Sequence, residues 1–245
     1  MRLHRFYVKE DLVNKTEVAI HSAELVNQVL RVFRLKAGDA VVLFNGTGKD
    51  YECKIDDTHS RRIMEDDNVL RLAVTGSKPS RFMPARRLFL CAAIVKKDTF
   101  EWIVEKATEL GATDIISIAA DRSEKKSLNE ERLVKIATEA SEQSGRGVTP
   151  MVQPIMGLED AAAFVKRESP SAKLLAFHTE GEAYDRGEIA DAKQPLAVFI
   201  GPEGGWSPEE IAMFHSQNIP VRSLGSQVLR AETAVVTTLS LAVFG

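Results

Sequence analysis

The feature that most constrains the fold of this chain is a continuous run of eight apolar residues, LFLCAAIV, at positions 88–95. A strand buried on both faces of a sheet gives such a run, whereas a strand with one solvated face alternates between apolar and polar residues. Shorter apolar runs follow at 115–119, 173–177, 196–200 and 220–224, and patterns typical of helices separate them. This alternation predicts an α/β fold in which helices cover both faces of a parallel sheet.

Three of the helices predicted in this region are bounded by their apolar patterns. The first begins at Asp98 or Thr99 as its cap and ends at Gly111, and the second spans 129–144. The last helix, 231–244, is apolar around its whole circumference and therefore needs cover on more than one side. The sheet of the same domain would cover one side, and a second subunit would cover the rest.

The N-terminal part of the chain has a different texture. Two strand-like runs within Val41–Ile55 flank an Asn-Gly pair, which predicts a β-hairpin, and Ser22 is placed to cap a short helix. A further strand is predicted at 70–75. We therefore expect a small, mostly β domain at 1–75, a linker rich in proline and basic residues at 76–87, and the α/β domain at 88–245.

Composition and residue spacing predict the compartment of the protein and whether it binds a metal. The start of the chain carries charges where a signal peptide needs an apolar core, which argues against export. No apolar run approaches the roughly 20 residues that span a bilayer. These two observations predict a cytoplasmic protein. Cys53 and Cys91 lie in strand-like segments without a metal-binding spacing and are expected to be reduced, buried and inert. No two histidines share a metal-ligand spacing, so no metal is predicted.

The net charge is −3, yet basic residues cluster in the first 90 positions. Solvated surface charge is the simplest interpretation of any one of them. Three clusters together are compatible with a surface that faces phosphates. They comprise Arg2, His4 and Arg5; Arg31, Arg34 and Lys36; and Lys78, Arg81, Arg86 and Arg87.

Ligands of open parallel sheets bind beyond the carboxyl ends of the strands, so the loops there carry the candidate chemistry. The loop GPEGGWSPEE at 201–210 holds three glycines, which let the backbone approach a ligand. Ser207, Pro208 and Glu210 then predict a capped helix start. A simple glycine-rich connector remains the alternative, and the chain has no GxGxxG pattern, so a dinucleotide is disfavoured.

A second loop, LGSQVLRAETA at 224–234, sets Arg230 among apolar residues before a helix. Either Arg230 acts on a ligand, or it forms a buried pair with Glu203 or Glu232. A third loop is predicted after Phe177; it is polar and could be a lid or plain surface. These patterns leave the reaction class open.

The segments VFIGPEGG (198–205) and LGSQVLRAETA (224–234) together resemble the RsmE family, the small-subunit ribosomal RNA methyltransferases that make N3-methyluridine. Three further stretches agree with that family, and the resemblance covers essentially the whole chain in the family's order. These stretches are EKATELG at 105–111, EASEQSGR at 139–146, and RLHRF at 2–6 with VLRVF at 29–33 and Gly38-Asp39.

The resemblance implies a PUA-like β barrel followed by a SPOUT-type methyltransferase domain with a C-terminal trefoil knot, which is a rare exception to unknotted chain connections. It implies S-adenosylmethionine as cofactor, 16S ribosomal RNA in the assembled small subunit as partner, and a homodimer formed through the C-terminal domain. The target would be a uridine of the decoding region. No membrane partner is implied.

Site residues follow from matching positions. The resemblance implies Arg230 as the central catalytic residue, with Glu203 and Glu232 as candidate proton acceptors and His178 as a third. The cofactor-binding residues implied are Phe177, His178, Gly201, Gly205, Leu224, Gly225, Val228 and Leu229. The RNA-binding residues expected are Arg5, Arg34, Gln143 and Arg146, together with the basic residues of the linker.

One departure from the family is Val148-Thr149-Pro150, where a shorter Val-Pro is expected, and it puts local RNA contacts in doubt. Two alternatives stay open. A SPOUT ribose 2′-O-methyltransferase shares a similar glycine-rich loop but usually has a Ser-Leu-Asn stretch near the C-terminus. A non-catalytic RNA-binding assembly factor would have lost cofactor binding.

Overall fold

The structure is a computed structural model that describes residues 3–56, 69–124, 127–189 and 191–244. The chain forms two compact units, one comprising Met1–Met83 with Ser141–Val148 and the other comprising Pro84–Ala140 with Thr149–Gly245. This division differs from the predicted boundaries because the segment at 141–148 belongs with the N-terminal residues. The predicted linker also differs, since a strand continues through its first residues as far as Pro79.

The first unit contains a five-stranded sheet in the order β1-β3-β4-β5-β2, in which β1 and β3 are parallel and the other pairs antiparallel. The predicted hairpin is confirmed as β3 and β4, with Gly46 at a φ of 83° in the turn. Ser22 caps α1 as predicted, its Oγ accepting the N–H of Leu25 at 3.3 Å. Closure of this sheet into a barrel stays a prediction. The elements are β1 His4–Tyr7, β2 Glu17–Ile20, α1 Ala23–Asn27 with a π-helical turn Gln28–Val32, β3 Ala40–Phe44, β4 Lys49–Ile55 and β5 Leu70–Pro79.

The second unit confirms the predicted parallel sheet. Six strands lie in the order β11-β9-β10-β6-β7-β8, and every neighbouring pair is parallel. Their carboxyl ends therefore meet at one edge. The helices and strands from residue 84 onward are β6 Leu88–Ala93, α2 Lys97–Glu109, β7 Asp114–Ile118, α3 Glu130–Ser144, β8 Met151–Met156, α4 Leu158–Glu168, β9 Lys173–Ala183, a 3₁₀ turn Arg186–Ile189, β10 Leu196–Ile200, α5 Pro208–Ser216, β11 Val221–Ser223 and α6 Ala231–Phe244. Of these, only residues 141–144 of α3 belong to the first unit.

The apolar run at 88–95 contains the central strand β6, and each face of this strand packs into a separate hydrophobic cluster. Leu88, Leu90 and Ala92 pack into a cluster with residues of α2, α3 and α6. Phe89 and Cys91 pack into a second cluster with residues of α4 and α5. Burial on both faces explains why the strand carries no polar residue.

The two ends of helix α2 can be compared with the predicted ones. Helix α2 begins earlier than predicted, with Lys96 rather than Asp98 or Thr99 at its cap and no side-chain capping bond. Asp98 instead lies in the first turn, where its charge suits the positive end of the helix dipole. Gly111 follows the helix with a φ of 94°, as predicted.

Strand β8 and helix α4 were not predicted from the sequence, and the segment after Phe177 was wrongly predicted to be a loop. That segment continues β9 as far as Ala183, because Glu182 and Ala183 pair with Arg222 and Ser223 of β11. This pairing is made by main-chain groups and therefore needs no apolar side chains. Gly181 is required there, since a Cβ would lie 2.6 Å from the carbonyl carbon of Arg222. The first six residues of the predicted polar loop, 178–183, therefore belong to a strand.

The last helix, α6, is apolar around its circumference, as predicted. Val235 and Leu239 are fully buried in the core, whereas Phe244 is 75% exposed. Within the described residues, no helix has the length and apolar character needed to cross a membrane.

Candidate cofactor and active site

A cavity of about 790 Å³ lies beyond the carboxyl ends of β10 and β11, beside residues 177–180 of β9. Its walls are formed by residues 177–180, 200–206, 223–224 and 227–231, together with Arg122 and the start of α5. The volume falls in the range of sites that enclose a small organic ligand. The cavity thus forms where parallel sheets usually bind ligands.

The glycine-rich loop is held as a tight turn. The N–H of Gly205 donates to the carbonyl of Pro202 at 2.9 Å, which leaves Glu203 and Gly204 at the two corners. Gly205 has a φ of 69°, and a Cβ there would lie 3.1 Å from Nε2 of His178. The turn therefore needs glycine at its end for two reasons: the positive φ favours glycine, and a side chain there would crowd the His178 ring.

Trp206 fixes this loop against the sheet, and the sequence analysis did not select it. Its indole Nε1 donates to the carbonyl of Phe177 at 3.1 Å, and its side chain is almost completely buried. A Cβ on Gly201 would lie 3.3 Å from the indole ring, so the backbone of the loop passes close to the ring face. A tryptophan directly after two glycines was the signal that could have shown this clamp.

The predicted capping box at the start of α5 is confirmed. Ser207 Oγ accepts the N–H of Glu210 at 3.2 Å, and the Glu210 carboxylate accepts the N–H of Ser207 at 2.8 Å. The box also extends to the loop after β7, because Ser207 Oγ donates to Asp121 Oδ2 at 2.7 Å and Glu210 accepts the N–H of Asp121 at 3.0 Å. Glu210 is buried and fully engaged.

Arg122, on the same loop after β7, also escaped the sequence analysis. Its Nη1 donates to the carbonyl of Gly204 at 2.8 Å, and the side chain is exposed along the cavity wall. The residue comes from a part of the chain about 80 positions before the glycine-rich loop. Only the sheet order brings the two together, so no local pattern marked it.

Arg230 lines the cavity and is exposed. Over the described residues its side chain makes no hydrogen bond or salt bridge, so the alternative of a buried pair with Glu203 or Glu232 is wrong. Glu203 is exposed and lines the same cavity, whereas Glu232 lies in the first turn of α6 and is not among the described residues that line it. Of the candidate proton acceptors, Glu203 and His178 are therefore the ones at the cavity.

The loop at 224–231 offers an apolar wall with free donors. Leu224, Val228 and Leu229 line the cavity, whereas Gly225 is exposed and is not among the described lining residues. In the described part of the chain, the backbone N–H groups of 227–229 donate no hydrogen bond. An apolar wall with unused backbone donors suits the edge of a flat heterocycle such as adenine.

The expected RNA-binding residues separate into two groups. Arg34 and Gln143 are exposed. The Arg5 side chain is only 8% exposed; it pairs with Asp50 at 2.7 Å and donates to the carbonyls of Ser141 and Arg146. Arg146 itself is fully buried, and desolvation lowers its pKa to about 10. The prediction that Arg5 and Arg146 contact RNA is therefore wrong, because both guanidinium groups are enclosed within the first unit.

The basic residues of the predicted linker also separate. Arg86 is buried and donates to the carbonyls of Ile189, Asp191 and Ala242, and burial lowers its pKa. Arg87 hydrogen-bonds Asp114 at 3.0 Å, which raises its pKa. Both guanidinium groups therefore bind partners within the second unit. Lys78 and Arg81 are exposed, whereas Arg2 lies outside the described residues.

Comparison with known families gives the class of protein first. Residues 83–243 match the RNA methyltransferase domain family, and residues 29–63 match the RNA methyltransferase PUA domain family. The first match alone spans well over half of the chain. The protein is therefore an RNA methyltransferase with a PUA domain in its N-terminal part.

Individual relatives narrow the class to one family. Ribosomal RNA small subunit methyltransferase E of Rickettsia conorii is 30% identical over 245 residues, which cover 98% of this chain and 95% of that protein. The Bacillus subtilis protein of the same name is 27% identical over 235 residues, 89% of this chain and 87% of its own. This chain belongs to the ribosomal RNA small subunit methyltransferase E family.

Solved structures share the fold. The methyltransferase E of Neisseria gonorrhoeae, bound to S-adenosylmethionine, has a TM-score of 0.84 at 24% identity and covers 98% of this chain and 96% of that one. A putative methyltransferase of Legionella pneumophila, in complex with S-adenosylmethionine, has a TM-score of 0.82 at 26% identity, with 99% and 97% covered. Both likenesses extend over the two units.

Proposed function

We propose that this protein transfers a methyl group from S-adenosylmethionine to N3 of a uridine in 16S ribosomal RNA of the small subunit, within the decoding region. The observation that carries the proposal is Arg230, an exposed cation on the wall of a cavity fit for a nucleoside-sized cofactor, with no salt bridge to any of the described residues. Family membership supports RNA as the substrate class. The Legionella relative supports the choice of cofactor.

The residues present suit S-adenosylmethionine. The backbone N–H groups beside Val228 and Leu229 would bind the adenine edge, with Leu224 against its face. Gly201 and Gly205 would let the chain pack against the ribose and methionine parts, and Phe177 and His178 would line the remaining wall. The cofactor supplies an electrophilic methyl group on a sulfonium.

The chain's own residues would prepare the base. Uracil N3 carries a proton that it must lose before it can attack a methyl carbon. Glu203 is our proposed acceptor for that proton, since it is exposed at the cavity and free to accept. Arg230 would stabilise the negative charge that develops on the base oxygens, and would orient the ring for attack. Glu232, away from the cavity lining, has no assigned role.

RNA would be bound by exposed basic and polar side chains of the first unit. Arg34, Lys78 and Arg81 are exposed there, and Gln143 belongs to the same unit. Contacts of this kind hold phosphates and position the substrate without reading its sequence. The PUA match in this region supports an RNA-binding role.

We further propose a homodimer formed through the second unit, and a trefoil knot in its C-terminal part. Phe244 on α6 is 75% exposed and Val228 beside the cavity is 81% exposed, and both are large apolar side chains. Burial of such side chains against a second copy would remove them from water. The dimer would then meet next to the cofactor cavity.

The test uses purified protein, labelled S-adenosylmethionine and small ribosomal subunits from cells that lack the modification. Arg230→Ala is run alongside, and the RNA is digested to nucleosides. Label in N3-methyluridine, lost in the variant, would support the reaction and the assigned arginine. Label in a 2′-O-methyl nucleoside would replace this proposal by ribose methylation, and no label from a folded protein that binds the cofactor would exclude the substrate.

A further inference from the structure

The corners of the glycine-rich turn are held by one side chain from outside the loop. Gly205 N–H to Pro202 carbonyl closes the turn from within. Among the described residues, the only hydrogen bond that reaches Glu203 or Gly204 from elsewhere is the one that Arg122 donates to the Gly204 carbonyl at 2.8 Å. A loop with three glycines loses much conformational freedom when it is ordered, so an external tie matters there.

Arg122 is itself held in place. Its neighbour Asp121 accepts a hydrogen bond from Ser207 Oγ at 2.7 Å and donates its N–H to Glu210 at 3.0 Å. Both partners belong to the capping box of α5, which directly follows the glycine-rich loop. The dipeptide Asp121-Arg122 therefore spans the loop, with one residue at the helix start and the other at the turn.

Gly204 and Arg122 are also in close packing contact. A Cβ on Gly204 would lie 3.3 Å from Cβ and 3.4 Å from Cδ of Arg122. The absence of a side chain at 204 thus lets the aliphatic part of Arg122 lie along the turn while its guanidinium reaches the carbonyl. Glycine at this position is explained by the contact rather than by φ.

We propose that Arg122 is a positioning residue that holds the glycine-rich turn in its cofactor-binding shape and thereby sets the position of the Glu203 carboxylate. This inference rests on the function proposed above. Because the turn is ordered before the cofactor arrives, binding does not bear the entropy cost of ordering it. Removal of Arg122 then weakens cofactor binding and slows the reaction together.

The experiment measures binding of S-adenosylhomocysteine by calorimetry to wild type, Arg122→Ala, Arg122→Lys and Arg132→Ala. Arg132 is a matched control, an exposed arginine of the same unit that is not among the residues lining the cavity. Its side chain makes one hydrogen bond within the described residues, to Glu101 at 3.4 Å. We expect Arg122→Ala to weaken binding about tenfold, as for loss of one hydrogen bond from a charged donor. Arg122→Lys recovers part of the loss, and Arg132→Ala binds as wild type does.

Hydrogen exchange of the cofactor-free proteins gives a second readout that a general loss of stability would not move. The Gly205 amide, which donates to the Pro202 carbonyl, exchanges faster in Arg122→Ala, while amides of β6 stay as protected as in wild type. Gly204→Ala provides an independent perturbation of the same contact. Its effect on binding is smaller in the Arg122→Ala background than in wild type, because the two residues form one contact.

Unchanged binding by a folded Arg122→Ala would overturn the inference, and if its activity alone were lost, Arg122 would instead act on RNA. Additive effects of Gly204→Ala and Arg122→Ala would also overturn it. Should Arg122→Ala not fold, Arg122→Lys and Gly204→Ala carry the same comparison. Failure of the wild-type protein to bind S-adenosylhomocysteine would instead remove the proposed function on which this inference rests.

Discussion

The indole Nε1 of Trp206 donates a 3.1 Å hydrogen bond to the main-chain carbonyl of Phe177, so the glycine-rich loop is fastened to the middle of β9. Trp206→Phe removes this buried hydrogen bond. We expect a loss of about 1–2 kcal/mol in the free energy of unfolding, with weaker cofactor binding. Denaturant unfolding measures the stability change. Trp102→Phe is the control, because Trp102 is 41% exposed. We expect the free energy of unfolding of this variant to change by less than about 0.5 kcal/mol.

Arg230→Ala tests the assigned electrostatic role. If Arg230 stabilises charge that develops on uracil, the variant loses about 100- to 1,000-fold in kcat, while its affinity for S-adenosylhomocysteine changes by less than about threefold. Single-turnover methylation and calorimetry give the two quantities. A large loss of cofactor affinity with unchanged kcat would show that Arg230 binds the cofactor instead.

Glu203 and Glu232 are distinguished by a pair of amide variants. Glu203→Gln removes a candidate proton acceptor at the cavity and should lower kcat by about 100-fold or more. Activity of this variant should recover as pH rises, because hydroxide can then take the N3 proton. Glu232→Gln should keep nearly full activity. Equal losses in both variants would mean that neither carboxylate is the sole acceptor.

Arg5 and Arg34 make a second informative pair, because they belong to one unit and differ in burial. Arg5→Ala breaks a buried pair with Asp50 at 2.7 Å and should cost about 3 kcal/mol of stability. Arg34→Ala, at an exposed position, should change stability by less than about 0.5 kcal/mol yet weaken RNA binding and its salt dependence. Thermal unfolding and filter binding over a salt series check both. The reverse outcome would restore Arg5 as an RNA contact.

Cys53 and Cys91 are free and buried, and burial raises the pKa of the Cys53 thiol from 9.0 to about 12 and that of Cys91 well above its usual value. Native protein should not react with a thiol reagent at pH 8, and both thiols should react after denaturation. The folded state holds the Cys53 proton more tightly than the unfolded state. Its stabilising effect is therefore complete below pH 9 and is lost between pH 9 and about 12. Fast labelling of the native protein at pH 8 would contradict this assignment.

The parallel sheet and its two covered faces were predictable because β6 carries an unbroken apolar run and its helices carry apolar stripes. The polar end of β9 was not, since its ladder with β11 depends on main-chain groups and on the absence of a side chain at Gly181. Residue type alone does not reveal such a pairing.

The site shows the same contrast. Gly201, Gly205 and Arg230 lie in loops whose sequence is unusual, and the structure brings them to one cavity. Arg122 acts across about 80 positions of chain, so only the strand order makes it a neighbour. Arg5 was misjudged because the sequence shows that it is basic but not that Asp50 and three carbonyls enclose it.

Strand β10 lies between β9 and β6, although it follows both in the chain. During synthesis, β6 and β9 leave the ribosome before β10, so the position between them in the sheet is still vacant. The glycine-rich loop that follows β10 cannot adopt its turn conformation until β10 has paired with both strands. Contacts between distant parts of a chain form slowly because the intervening segment must be closed first. Newly made protein should therefore acquire helices early and cofactor affinity late, with an interval in which the parallel sheet is open at its centre.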